Sequence, residues 1–527
     1  MLQQNHSSHA KSLLKKIERI PKLNKRPLPE LPPAPQSRVK LQLPAQRASK
    51  SRRAFLGGTS TGGTARQGSA VRRNSVLALL KRISHGFNQA ELNRAVAMGY
   101  DAYLEEQLDH LAIDDSDMAP RLANFPTLGM SPLDLINTYS ADNYIPFYDL
   151  KGATLVRAVH SKRQLFERMC AFWSDHFSID HQKDPEWAFK PQDDLNVTRQ
   201  YALSSFPEIL SASAHSAAMM FYLDNWLNFV GAPQENYARE LMELHTLGVG
   251  GGYTEQDVKE VARAFTGWSL EFDVLSPNYL NYKFQVTLHD PSAGVVLGQN
   301  IPAGSLQQAG EQVLGILASH PSTARFIATK LTRWLLSENP PKQVIDAVTQ
   351  TYLATGGDIK SMIRVILAEN NVRYAASPYR PKFKRPFNFV TSLLRGLDAE
   401  VFDPTVMVFF LAQMGHSPFD WSPPNGYPDS VNVWGKSLLP RWGVASSVLG
   451  NFVPGIQVSL ADVNALLGDF NQPGLAKRIS DRILGQSLDR EDIQAVEQFL
   501  SARSPLVWPE VYEAIGFAAS CPGNQWY

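Results

Sequence analysis

The sequence predicts an all-α fold: a multi-helix globular body with one small β insert. Three observations predict it. Apolar residues recur at 3.6-residue spacing from residue 76 almost to the C-terminus. Only 281–288 (NYKFQVTL) reads as a strand, and with 294–297 it makes a small hairpin near 281–297. Helix starts and stops punctuate the rest, as at Gly99 and at Thr254-Glu255-Gln256-Asp257. The 527 residues are 44% apolar and 19% charged, which suffices for a large core and excludes whole-chain disorder. No fixed repeat period occurs, so a regular solenoid is disfavoured.

Residues 1–75 stand apart as a basic Pro/Gly/Ser-rich tail, expected to be disordered. They hold 16 Lys and Arg against two acids, Glu18 and Glu30, leaving 35 basic and 48 acidic residues to the rest. Such a segment buries too little apolar surface to offset its ordering entropy. Its charge predicts weak, salt-sensitive contact with anionic membranes or nucleic acid. Specific nucleic-acid recognition is not expected, because Phe55 is its one aromatic residue. Ser51-Arg52-Arg53-Ala54-Phe55-Leu56 spells a twin-arginine export signal, yet the chain continues GGTSTGGTARQGSA, with no apolar run. The expected location is periplasmic or extracellular if that motif works, and cytoplasmic otherwise. An integral membrane protein is not expected, since no stretch approaches 18 consecutive apolar residues.

The body, 76–527, opens with VLALLKRI (76–83), and 90–111 continues the pattern across Gly99. In 164–177 Leu165, Met169, Phe172, Trp173 and Phe177 form one stripe. Thr254 to Asp257 fits a capping box and opens a helix predicted to end near Trp268. Further helices are predicted over 321–337, 342–354, 358–369, 384–397, 438–449, 474–484 and 489–502. Cys170 and Cys521 make no disulfide framework, and no C-x-x-C, H-E-x-x-H, G-x-x-x-x-G-K-[ST] or G-x-S-x-G occurs.

Three segments carry candidate chemistry. In 235–248 (ENYARELMELHTLG), Asn236, Arg239, Glu240 and Glu243 fall within roughly a 100° arc of a helix that is otherwise largely apolar. That pattern predicts a buried helix with Arg239 as a cation hub between two carboxylates. A structural Arg–Glu network and a catalytic or metal-binding role for Arg239, Glu240 and Glu243 both fit it. Asp175 and His176 follow Trp173 at a helix end, where they can serve as acid and base or as ligands. His181 lies five residues on, off the same face. His289 and Asp290 end the predicted strand, where a turn before Pro291 is the plainer reading. His160, His215 and His416 are isolated and read as structural.

The segment ENYARELMELHTLGVGGGYTEQDVKEVARAFTGW (235–268) resembles the signature of the bacterial family labelled domain of unknown function 1800. FWSDHF (172–177), LDN (223–225), His289-Asp290 followed by Leu297-Gly298, and HPSTARFIATKLTRWL (320–335) fit the same family. The Pro-rich stretch 417–442 is similar to its P-P-x-x-x-G-W segment, with Tyr427 where Trp is common. The resemblance implies no defined activity. It does imply frequent export signals and a sulfatase-like protein encoded nearby.

Two function classes follow. One is an exported, metal-assisted, hydrolase-like enzyme whose site gathers catalytic Glu240, Glu243, Arg239 and Asp175 with metal ligands His176, His289 and Asp290 around a divalent ion. The other is a non-catalytic helical scaffold, or an export or assembly partner of the sulfatase-like protein, with 417–442 as its contact surface. Convergence of the three segments on one concave pocket favours the enzyme. Local pairing of each polar group favours the scaffold.

Overall fold

Helix Thr64–Ile83 sets the start of the folded body, because Val76, Leu77, Leu79, Leu80 and Ile83 are all buried along it. The computed structural model describes residues 64–376, 382–503 and 506–527. The SRRAFL motif and most of the basic tail lie outside those residues. The helix begins twelve residues ahead of the first apolar run, inside the segment read as tail. Once its C-terminal half is anchored, each added turn extends an existing helix, which costs far less than nucleating one.

The remaining periodic stretches become short helices. The run 90–111 divides into Gln89–Met98 and Tyr100–Leu108 at Gly99, whose φ of +97° breaks the helix. The capping box forms as spelled. Asp257 N–H donates to Thr254 Oγ1 at 3.2 Å, and Thr254 N–H donates to Asp257 Oδ2 at 2.8 Å. The helix it opens, Glu255–Ala264, stops short of Trp268. Instead Trp268–Leu270 is a strand with all three residues buried, and three residues are too few to show a strand period in sequence.

This strand, not 294–297, pairs with Tyr282–Phe284, in register Trp268↔Phe284 and antiparallel. Gly294–Val296 pairs with Gln299–Ile301 in a second hairpin, and Glu400–Val401 pairs with Ile456–Gln457. The β content is therefore small two-stranded antiparallel inserts in a mainly helical body. No helix among the described residues is long and apolar enough to cross a membrane.

Two large apolar cores form among the described residues. The first is built from residues between Val76 and Ala375, around Trp173, Phe206, Phe265 and Trp268. The second runs from Phe387 to Cys521 and takes in Ala153, Leu155 and Val156 of helix Tyr144–His160. The stretch 417–442 buries Tyr427 and Trp434 beside Phe383 and leaves Leu439 and Trp442 exposed. Gly426 explains how closely it packs: its φ is +72°, and a Cβ there would lie 2.0 Å from the Asp175 carbonyl oxygen.

Candidate functional site

Helix Gln164–His176 buries Leu165, Met169, Phe172 and Trp173, and so delivers Asp175 and His176 on its last turn at the junction of the two cores. Asp175 pairs with the Arg385 guanidinium, which stands just before helix Pro386–Gly396. Arg385 Nε also lies 3.5 Å from Asp429, and Asp429 pairs in turn with Lys382. Burial pushes the Asp175 carboxyl above its usual range, and Arg385 only partly offsets this. Asp429, held by Lys382 and Arg385 against the same burial effect, falls to about 2. The result is a chain of buried ion pairs across the junction.

His176 is fully committed. Its Nε2–H donates to the His245 carbonyl oxygen at 3.0 Å, and its Nδ1 accepts from Lys330 Nζ at 2.9 Å. Burial, then Lys330 and His245, hold it well below the usual imidazole value, so it is neutral. Both ring nitrogens are occupied, which leaves none for a metal or a proton transfer.

The segment 235–247 is helix Glu235–Glu240 continued by a π-helical turn, Leu241–Thr246. Tyr237, Ala238, Leu241 and Met242 are buried, as the apolar faces require. Arg239 is not a buried hub. Its side chain is 33% exposed and pairs at 2.7 Å with Glu255, itself 70% exposed. Glu235 lies 3.4 Å and Glu243 3.9 Å from it. The polar stripe therefore faces water, because the buried faces are already filled by neighbours. Burial, then Glu243, raises the Glu240 carboxyl.

His289 and Asp290 lie elsewhere. His289 Nδ1–H donates to the Thr266 carbonyl at 2.8 Å. Asp290 N–H donates to Thr266 Oγ1 at 2.8 Å, and Asp290 Oδ1 accepts from Ser292 N–H at 2.9 Å. This is an Asx turn. His160 accepts from Val401 N–H, His215 pairs with Glu311, and His416 accepts from Phe387 N–H.

Of the three segments, the first two touch, through His176 and His245, and the third does not join them. Among the described residues no group of three or more His, Cys, Asp or Glu is placed to hold a metal ion. The assignment of His176, His289 and Asp290 to one metal is therefore not met by their geometry.

Sequence reasoning passed over the most catalyst-like pair. His181 Nδ1 meets the Phe419 carbonyl oxygen at 2.7 Å and lies 3.0 Å from Asp420 Oδ1, Lys151 Nζ lies 2.5 Å from Asp420 Oδ2, and His181 Nε2 and Asp420 Oδ1 are buried without a hydrogen-bond partner. An imidazole beside a carboxylate, with one ring nitrogen free, has the groups that a general base uses. Here the ring is 2% exposed, and Phe147, Trp187 and Phe419 line the small cavity beside it. Only D-H at 180–181 signalled it, since Asp420 lies far off in sequence. The run KFKRP (382–386) was the missed signal for the buried ion-pair chain: three cations lead directly into an apolar helix.

The family model described as "Protein of unknown function (DUF1800)" matches residues 78–522. No curated protein and no solved structure matches the chain.

Proposed function

The chain belongs to the DUF1800 family of proteins of unknown function, and from that premise we propose that it is a non-catalytic helical scaffold that holds a partner protein. One observation carries this reading. Asp175, a carboxylate that a catalytic site would need, is bound into the chain Asp175–Arg385–Asp429–Lys382, which ties residues 210 positions apart. Buried charge used this way fixes the relative placement of two cores.

The partner proposed is the sulfatase-like protein that the family resemblance implies. For its contact surface we propose the outer face of helix Leu438–Leu449. Leu439 is 73% exposed, Trp442 follows one turn on, and Phe452 beyond the helix end is 71% exposed. Exposed aromatic side chains are enriched in interface cores. The basic tail adds an electrostatic contact.

Gel filtration of the two purified full-length proteins, separately and mixed, tests this. Co-elution that is lost in Leu439→Glu/Trp442→Glu is the expected result. The reading fails if the chain alone hydrolyses aryl sulfate or aryl phosphate esters and Asp175→Asn abolishes that turnover. It fails equally if no complex forms.

A further inference from the structure

Residues 524–527 fold back from the second core onto the first. They follow helix Trp508–Ser520 and run antiparallel to 382–384, with Trp526 opposite Phe383. Lys382 N–H donates to the Tyr527 main-chain oxygen at 3.1 Å, Tyr527 N–H donates to the Lys382 carbonyl at 3.0 Å, and Lys384 N–H donates to the Gln525 carbonyl at 2.8 Å. This pairing sets the Tyr527 side chain against two helices of the first core, Thr64–Ile83 and Gln164–His176, which present Arg82 and Arg168 to it.

Those two guanidinium groups lack the partners that the ion-pair chain gives Arg385. Arg168 is 1% exposed and Arg82 2% exposed, and neither forms an ion pair with a carboxylate side chain among the described residues. Arg168 donates to the Tyr527 hydroxyl at 3.3 Å, lies 4.6 Å from the Trp334 ring centroid, and keeps its Nε buried without a partner. Arg82 donates to the Tyr527 main-chain oxygen at 2.7 Å and to the Ala375 carbonyl at 3.2 Å, and stands 5.4 Å from the Tyr527 ring centroid. A guanidinium does not shed its proton, so when buried it stays charged and calls for a counter-charge.

The other titratable groups around the phenol are Lys81 and His85 beside Arg82, Lys382, Lys384 and Arg385 on the paired segment, and Asp429. Lys384 is bonded to Asn524, and Asp429 is shared by Lys382 and Arg385. The phenol is therefore the one acidic group in hydrogen-bond contact with Arg168. Burial pushes the Tyr527 hydroxyl up, but Arg168, Lys382 and Arg82 outweigh burial and Asp429 and leave it below the usual tyrosine value.

We propose that Tyr527 is a pH-driven latch: its phenol gives up its proton to solvent, and the phenolate, as the counter-ion of Arg168, fastens residues 524–527 of the second core to the first. An acid whose folded pKa is depressed adds stability that is fully present above its unfolded pKa and is lost as pH falls through the folded one. The latch thus tightens as pH rises toward the ordinary tyrosine value of about 10 and slackens below the folded value. It is independent of partner holding and is read on the chain alone.

Ultraviolet titration of tyrosinate in the full-length wild type and in Tyr527→Phe tests it. Tyr527→Phe keeps the main chain that meets Arg82 and Lys382, so the difference between the two curves reads this phenol alone. The expected difference is one tyrosinate per chain, with a midpoint at least half a pH unit below about 10. Arg168→Met should carry that midpoint back to the ordinary value or above. Urea unfolding should show the wild type gaining on Tyr527→Phe as pH rises toward 10. A difference midpoint nearer the ordinary value overturns the proposal, whether or not Arg168→Met folds. So does a low midpoint that Arg168→Met leaves in place, or a stability difference that does not grow with pH.

Discussion

Replacing Arg385 by Met should destabilise the protein more than any surface charge change, and the structure sets the size of the loss. The Arg385 side chain is 6% exposed, pairs with Asp175, donates to the Tyr427 carbonyl at 3.1 Å and stacks 4.8 Å from the Trp334 ring centroid. Met keeps much of the apolar contact but leaves Asp175 without its ion-pair partner, while Asp429 retains Lys382. Breaking a buried pair in this way costs about 3–5 kcal/mol. Asp175 keeps 24% of its side chain accessible, which places the loss near the lower end, about 3 kcal/mol. The loss should depend on pH. Burial already raises the Asp175 carboxyl above its unfolded value, and removing Arg385 raises it further. A carboxyl raised on folding gives stability that is fully present below its unfolded pKa and lost as pH rises through the folded one. The variant should therefore lose more at pH 8 than at pH 5. Urea unfolding followed by tryptophan fluorescence at both pH values measures this, with unfolding rates used if refolding fails. Asp175→Asn in the same chain should recover more than half of the loss, since it removes the orphaned charge. A loss under about 1 kcal/mol at both pH values would place the pair among exposed ones and refute the reasoning.

Three further outcomes follow from the same structure. Arg239→Ala should cost less than about 1 kcal/mol, because its partners are exposed, and urea midpoints will show it. Glu186 is fully buried with both carboxylate oxygens unpartnered, and burial, then Asp193, hold its pKa well above the usual value. Wild-type stability should therefore fall as pH rises through that raised value, whereas Glu186→Gln, which mimics the neutral acid, should show no such fall. We also propose that the tail contributes no core. A chain starting at residue 64 should melt cooperatively like the full protein, and one starting at 76 should melt cooperatively but lower, having lost the first turns of helix Thr64–Ile83.

The helices and their apolar faces were legible because periodicity is a local property. Val76 to Ile83 and Leu165 to Trp173 bury the side chains the pattern selects. Asp175 and His176 were legible as polar groups at a helix end, but their partners were not. Arg385 lies 210 positions from Asp175, and Lys330 lies 154 from His176, separations that no spacing rule reaches. Arg239 was misplaced for a different reason. A helix apolar on most sides can still leave one stripe to solvent, and Tyr237 and Met242 are buried while Arg239 is not. The strand Trp268–Leu270 escaped the periodicity because three residues are too few to show a strand period after the helical one before them.

The central claim is that the polar groups of the three segments are taken up by separate pairings and do not hold a metal. Melting the chelator-treated full-length protein with and without excess Zn²⁺, Mn²⁺, Mg²⁺ or Ca²⁺ tests it most directly. A ligand that binds only the folded state at a hundred times its dissociation constant adds about 2.7 kcal/mol of stability. The account predicts no shift in melting temperature with any of the four ions. A saturable rise of several degrees with one of them, lost in Glu243→Gln or His289→Ala, would contradict it.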